Sequence, residues 1–277
     1  MMIPRKINNW TMIVIALAAL LILALAHNIP YRDKWYRYKT EAAGTMYEAE
    51  MTLACRAKEM GVKPGGEVLE ALEHKGVGPE RAGLICYLIG EKSSPLVSSE
   101  GSLYSKIACT DPDFAAIVVE LLREAGAREG DTISVALSGS LPGADIAVLS
   151  AAKAMKLKPV IISSLGASGW GATDPDLTWL DMEKILYEEG VFRYRPAAVS
   201  MGGFWDIQGK KSETEKEQLE RIIKRSGRPV IYEEDVTKNA EHRMRVYREY
   251  AGEAPIKVFI NVGGDSAVVG DRAYRKY

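Results

Sequence analysis

From Thr132 onward the sequence alternates short apolar runs with amphipathic segments, and nothing else in it constrains the fold so tightly. Runs at 132–137, 159–164, 197–201, 229–232 and 256–260 are rich in Val, Ile and Ala and have strand length. Between them, 144–155, 175–189, 213–225 and 237–250 repeat apolar residues at helical spacing. Parallel neighbours need helix-sized crossovers, so this alternation predicts an α/β fold: a mostly parallel layered sheet with helices on both faces. Two helix stripes are predicted to face the sheet: Ala144, Val148, Ala151, Ala152 and Met155, and Ala240, Met244, Tyr247 and Ala251.

In open parallel sheets ligands bind beyond the carboxyl ends of the strands. Here those ends are turns of small and hydroxyl residues. The first is Ser138-Gly139-Ser140, and the second runs from Ser163-Ser164 through Ser168 to Trp170-Gly171. The third is Gly202-Gly203, and the last is Asn261-Val262-Gly263-Gly264-Asp265. A strand, a small-residue turn and a helix start aim free N–H groups and a positive dipole end at one spot. The candidate anion-binding residues are therefore Ser138, Gly139, Ser140, Ser163, Ser164, Ser168, Trp170, Asn261, Gly263 and Gly264. Trp170 either stacks on a ligand or plugs the domain. The competing reading is that the glycines serve only tight βα turns.

A serine nucleophile needs an activating base, and histidine is scarce. His27 lies in or beside an apolar segment, His74 in a presumed loop, and His242 on a charged helix expected to face solvent, so a Ser/His/Asp triad is not expected. Asp145, Asp174, Asp181, Asp206 and Asp265 are candidate acids or metal ligands, although Asp145 and Asp174 also fit capping and dipole roles at helix starts. No Gly-x-x-x-x-Gly-Lys-Ser/Thr is present, and Gly166, Gly169 and Gly171 lack the dinucleotide spacing, so no cofactor or metal is expected. Cys55, Cys86 and Cys109 suit neither a disulfide framework nor a zinc site and read as buried thiols. A net charge of −1 gives no basic field for nucleic acid.

The N-terminus carries Arg5 and Lys6 ahead of an apolar run over 10–26, interrupted only by Thr11. Ala24-Leu25-Ala26 would suit signal cleavage, whereas the aromatic belt of Tyr31, Trp35, Tyr36 and Tyr38 favours an uncleaved single-pass anchor. A short N-terminal tail with the globular mass after the anchor favours an extracytoplasmic domain. Next, 36–60 reads as a helix with Met46, Ala49, Leu53, Ala57 and Met60 on one face and Glu41, Glu48, Glu50, Arg56 and Lys58 on a solvated one. A short helix over 79–89 leads to a hydroxyl-rich loop, a lid or a connector. Thr110-Asp111-Pro112-Asp113 and Thr173-Asp174-Pro175-Asp176 both read as helix starts. The predicted organisation is an anchor over 1–30, a helical stem and polar loop over 31–105, and the α/β domain over 106–277.

Several motifs in fixed order resemble the poly-gamma-glutamate system protein family. They are Leu137-Ser138-Gly139-Ser140-Leu141-Pro142, Pro159-Val160-Ile161-Ile162-Ser163-Ser164-Leu165-Gly166-Ala167-Ser168, Trp170-Gly171-Ala172, Thr178-Trp179-Leu180-Asp181-Met182-Glu183 and Ile260-Asn261-Val262-Gly263-Gly264. The resemblance implies a membrane-anchored accessory protein working with the machinery that makes or exports poly-γ-glutamate, and it assigns no reaction and no catalytic residue. A crevice of N–H groups and hydroxyls suits γ-linked glutamate carboxylates. The alternatives are a pathway enzyme, an amide hydrolase or transferase using Ser138 or Ser140, and a non-catalytic scaffold.

Overall fold

The computed structural model describes residues 8–28, 34–203, 211–263 and 266–269. The chain divides into two compact units, Met1–Arg37 and Tyr38–Tyr277. The first contains α1 (Asn9–Asn28), apolar on every side, with each described side chain from 8 to 25 exposed. Its apolar run over 10–26, roughly 17 residues interrupted only by Thr11, rises about 25 Å, short of the ~30 Å hydrocarbon core of a bilayer. Among the described residues no helix is long and apolar enough to cross a membrane. The anchor helix expected at the N-terminus is thus shorter than a spanning segment over the part described. Arg5, Lys6 and Tyr31 lie outside the described residues.

The elements that follow are α2 (Lys34–Glu59), α3 (Gly66–His74), α4 (Pro79–Ile85), β1 (Val97–Ser99), α5 (Leu103–Ala108) and α6 (Asp113–Glu124). Then come β2 (Thr132–Ser138), α7 (Pro142–Ala154), β3 (Lys158–Ser164), β4 (Ala167–Ser168), β5 (Thr173–Asp174), β6 (Leu177–Thr178), α8 (Trp179–Glu188) and β7 (Ala198–Ser200). The last are α9 (Glu213–Arg225), β8 (Val230–Ile231), α10 (Val236–Ala251), β9 (Ile256–Asn261) and α11 (Ser266–Val269). Five strands form one parallel sheet in the order β8-β7-β3-β2-β9. The chain steps outward from β2 to β8, then returns to lay β9 on the other side of β2. That reversal makes the carboxyl ends of β2 and β9 the topological switch point.

All seven residues of β2 are buried, so this strand reads as a continuous run rather than an alternating one. Helices cover both faces. Val160, Ile162, Ala198 and Ile231 pack against Tyr247 of α10. Strand side chains alternate between faces, and the neighbouring positions on β2 and β3 meet α7 and α8. The α7 stripe of Ala144, Val148, Ala151, Ala152 and Met155 is buried as expected.

The α10 stripe differs. Its buried residues are Asn239, Arg243 and Tyr247, while Met244 is exposed, because a buried arginine network replaces the expected apolar contact. Glu50, expected on the solvated face of α2, is buried and paired with Arg81, whose guanidinium also reaches the Thr110 carbonyl. Thr173-Asp174-Pro175-Asp176 opens no helix: Asp174 Oδ1 accepts from the Asp176 amide at 2.8 Å, and β5 and β6 pair as an antiparallel hairpin. The helix start is Thr178, which forms a capping box with Asp181. His74 closes α3 rather than lying in a loop. Of the thiols only Cys86 is buried; Cys55 is exposed and Cys109 half-buried.

Candidate functional site

At the switch point the turns after β2, β3 and β9 are joined by their own hydroxyls. Ser138 Oγ donates to the Val262 carbonyl at 3.2 Å, and the Ser140 amide donates to Ser138 Oγ at 3.4 Å. Gly263 has φ +91°, and a β-carbon there would collide with Ser138 Oγ, so the close crossing of the two turns itself demands glycine. Asn261 turns outward and donates from Nδ2 to the Gly263 carbonyl at 3.1 Å. Gly264, Asp206 and Asp265 lie outside the described residues.

The turn after β3 is fastened on both sides. The Leu165 and Gly166 amides donate to the carbonyls of Ser200 and Met201, each at 2.9 Å. β4 pairs in parallel with β1, setting Val97 beside Ala167 and Ser99 beside Ser168. The hydroxyl-rich segment expected as a lid or connector is therefore partly a strand. The Ser168 amide donates to Ser140 Oγ at 3.1 Å, tying the second turn to the first. Gly139 contributes its carbonyl, which accepts from the Ala172 amide at 2.7 Å.

Into this junction α5 inserts Lys106. Its Nζ donates to Ser168 Oγ at 2.6 Å, and the lysine is only 5% exposed. Ser102 caps α5, accepting from the Ser105 amide, which fixes the helix phase so that Leu103, Lys106 and Ile107 share one side. Burial pushes the Lys106 amine below the usual lysine range, opposed by charge on Cys109 and Asp145. Reasoning from sequence missed this residue. The available signal was a lysine at a core-facing phase of a short capped helix.

Two carboxyls lie deeper. Asp145 of α7 is 0% exposed, and neither of its oxygens has a hydrogen-bond partner. Burial, then the Glu183 carboxyl, pushes Asp145 well above the usual carboxylate range. The Ser138 amide and Lys106 oppose that shift, the amide lying close without hydrogen-bond geometry. Asp145 therefore does not cap α7, as its position had suggested. Glu183 of α8 is raised to about 7 by burial, against the opposing effects of Ser163, Arg228 and Arg195. The Ser163 hydroxyl likewise faces the carboxyl outside hydrogen-bond geometry.

Ser164 points to the opposite face and joins a different network. Its Oγ lies 2.9 Å from Ser200 Oγ, and the Arg243 guanidinium donates to Ser200 Oγ at 2.7 Å and to Asn239 Oδ1 at 2.9 Å. Ser163 and Ser164 thus do not act together, a consequence of strand alternation. Trp170 is 7% exposed with φ 67°, and its amide donates to the Glu91 carbonyl at 3.1 Å. It plugs the domain instead of presenting a stacking face.

The remaining candidates have structural roles. Asp181 completes a helix cap and pairs with Arg225, Asp174 shapes a hairpin, and His242 Nδ1 lies 3.6 Å from Glu233. Among the described residues no three His, Cys, Asp or Glu side chains are grouped to hold a metal. Beside the switch point, an apolar groove of ≈ 450 Å³ runs between α6, α7 and β9, lined by Val118, Leu122, Leu141, Val148, Val258 and Val262. Chemically, the junction offers an amine destabilised as a cation, three hydroxyls and the start of α7. Compared with models of known families, with curated proteins and with solved structures, the chain finds no match.

Proposed function

We propose that this chain is a membrane-anchored accessory protein of a poly-γ-glutamate synthesis or export system, and that its α/β unit binds the anionic polymer at the carboxyl end of β2. The observation that carries this reading is the contact of Lys106 Nζ with Ser168 Oγ at 2.6 Å, beside Ser140 and the start of α7. A carboxylate entering there meets a cation, hydroxyl donors and a helix dipole together. It also supplies a counter-charge that offsets the hydration Lys106 loses on burial. The segments that build this junction, 137–142 and 159–168, are the ones that resemble the family.

The membrane half of the proposal rests on α1. A helix that is apolar all round and exposed from 9 to 25 is unsuited to water. A shortfall of about 5 Å against the bilayer core costs only fractions of a kcal/mol per Å, through local thinning and flanking anchors. The aromatic and basic residues after α1 supply such anchors in sequence, with the domain placed extracytoplasmically.

The test is calorimetry of the full chain in detergent with oligo-γ-glutamate at low and at physiological salt, beside Lys106→Met. Salt-sensitive binding that the substitution abolishes is expected. No heat at either salt, from folded protein, discards polymer binding. The second reading, recognition of a machinery protein, draws on the apolar groove and on the exposed Ile117 and Leu121 of α6 next to it.

A further inference from the structure

We propose that Ser168 is a nucleophile and Lys106 its general base, in acyl transfer from an amide or ester whose acyl group carries a carboxylate. This rests on reading the junction as a carboxylate site and adds a reaction to it above the Lys106 titration, where the amine is neutral and the acyl carboxylate is held by Ser138 and the start of α7 instead. Lys106 Nζ and Ser168 Oγ are already at proton-transfer distance, 2.6 Å, in a setting where both are nearly buried. Among the described residues Lys106 is in no ion pair, and the nearby Asp145 carboxyl favours its ammonium less than burial disfavours it. A buried, unpaired amine is the form of lysine that serves as a base. The titratable groups facing it are Cys109, just beyond α5, and Asp145 on α7, with Glu183 of α8 behind Asp145, each pushed by burial towards its neutral form.

Two further features separate Ser168 from an ordinary buried serine. Its backbone is held at three points: its amide on Ser140 Oγ, its carbonyl by the Gly171 amide at 2.9 Å, and the next amide on the Ser99 carbonyl at 3.0 Å. The Ser168-to-Gly171 bond closes a turn whose third residue, Trp170, has φ 67° where glycine is the usual occupant. A bulky residue forced into that region two residues after a serine, in the same turn, is the kind of strain that gathers at reactive positions.

The chemistry balances with the groups present. Ser168 Oγ bonds to the carbonyl carbon as its proton passes to the neutral Lys106 amine. The tetrahedral intermediate collapses with cleavage of the C–N or C–O bond, and the Lys106 ammonium gives the proton to the leaving amine or alcohol. Water, or an acceptor amine, then attacks the Ser168 ester; Lys106 takes its proton and returns it to Ser168 Oγ. Ser140 positions Ser168 through its amide, and Ser138 with the start of α7 faces the acyl carboxylate.

The full chain in detergent is treated with a fluorophosphonate and, separately, with γ-glutamyl-p-nitroanilide, across pH 6 to 10.5, as wild type, Ser168→Ala, Lys106→Met and Lys106→Arg. Thermal unfolding verifies that each variant is folded. The expected result is an adduct mapped to Ser168, forming faster as pH rises through a lysine titration below the usual range. Ser168→Ala should abolish it, and Lys106→Arg, cationic throughout, should slow it by about 10²-fold or more. An adduct on another serine, or none on folded protein that binds oligo-γ-glutamate, overturns the catalytic proposal and leaves polymer binding standing. Folded protein that neither binds the oligomer nor reacts overturns both.

Discussion

A β-carbon on Gly171 would collide with the carbonyl oxygen of Gly139, the same oxygen that accepts the Ala172 amide at 2.7 Å. These two glycines bring the turns after β2 and β3 into backbone contact, and that contact holds Ser168 near Ser140. Gly171→Ala forces the turns apart. It is expected to lower stability by about 1–3 kcal/mol, measured by urea denaturation, and to weaken any ligand binding at the junction more than that loss alone explains.

Lys156 behaves oppositely. It follows α7 with φ 53°, its amide bonded to the Lys153 carbonyl and the next amide, Leu157, to the Ala152 carbonyl, the pattern of a helix end that favours glycine. Lys156→Gly relieves the left-handed strain at the expense of an exposed contact with Glu129. A gain of about 1 kcal/mol in unfolding free energy is expected. A loss would mean that the Glu129 contact outweighs the strain.

Burial lifts Glu183 from an ordinary 4.5 to about 7. Between those values the folded chain holds a proton that the unfolded chain has released, so this group's contribution is most favourable below pH 4.5. It declines as pH rises, and is spent near 7. The decline is on the order of 3 kcal/mol. Asp145, raised in the same direction, adds to it. Subtracting the stability-against-pH curve of Glu183→Gln from that of wild type should isolate the slope; identical curves would show that the carboxyl titrates normally.

Arg243 lies buried beneath α10 and holds Ser200 and Asn239. Arg243→Met keeps most of the volume and removes the charge-assisted bonds, with an expected cost of about 3 kcal/mol. Since Ser164 faces this network and Ser163 faces the other side, ligand affinity at the junction should be unchanged once the protein is folded. Thermal melting and calorimetry on the same variant read the two effects apart.

Removing residues 1–33 should release the protein from liposomes in a flotation assay, while the intact chain rises with the lipid. Flotation of both forms would place membrane affinity in the globular unit instead of α1.

The parallel sheet was legible because its helices and strands differ in period, and α9 was bounded to the residue by its charged first and last turns. What escaped was polar burial. Glu50, Lys106, Asp145 and Arg243 carry charges that a hydropathy pattern assigns to solvent, yet each is buried. The hairpin over 173–178 escaped for a related reason: Thr-Asp-Pro-Asp serves an Asx turn as readily as a helix cap, and only the pairing of Thr173 with Thr178 distinguishes them. The site was half visible. Ser138, Ser140 and Ser168 were named from the turns, but their cation arrives from α5, a helix that the sequence had not marked.

That helix, α5, precedes the first strand of the large sheet by more than a turn of chain, and its Lys106 is supplied from outside the βα repeat. An exchange between homologous genes that joined partners after residue 105 would cut α5 and leave β1 with the donor. The recipient would inherit every hydroxyl of the junction and the lysine, but not the capped turn that aims it. The junction therefore depends on the segment from Val97 to Ser168 as a whole, a unit that straddles the border between stem and sheet.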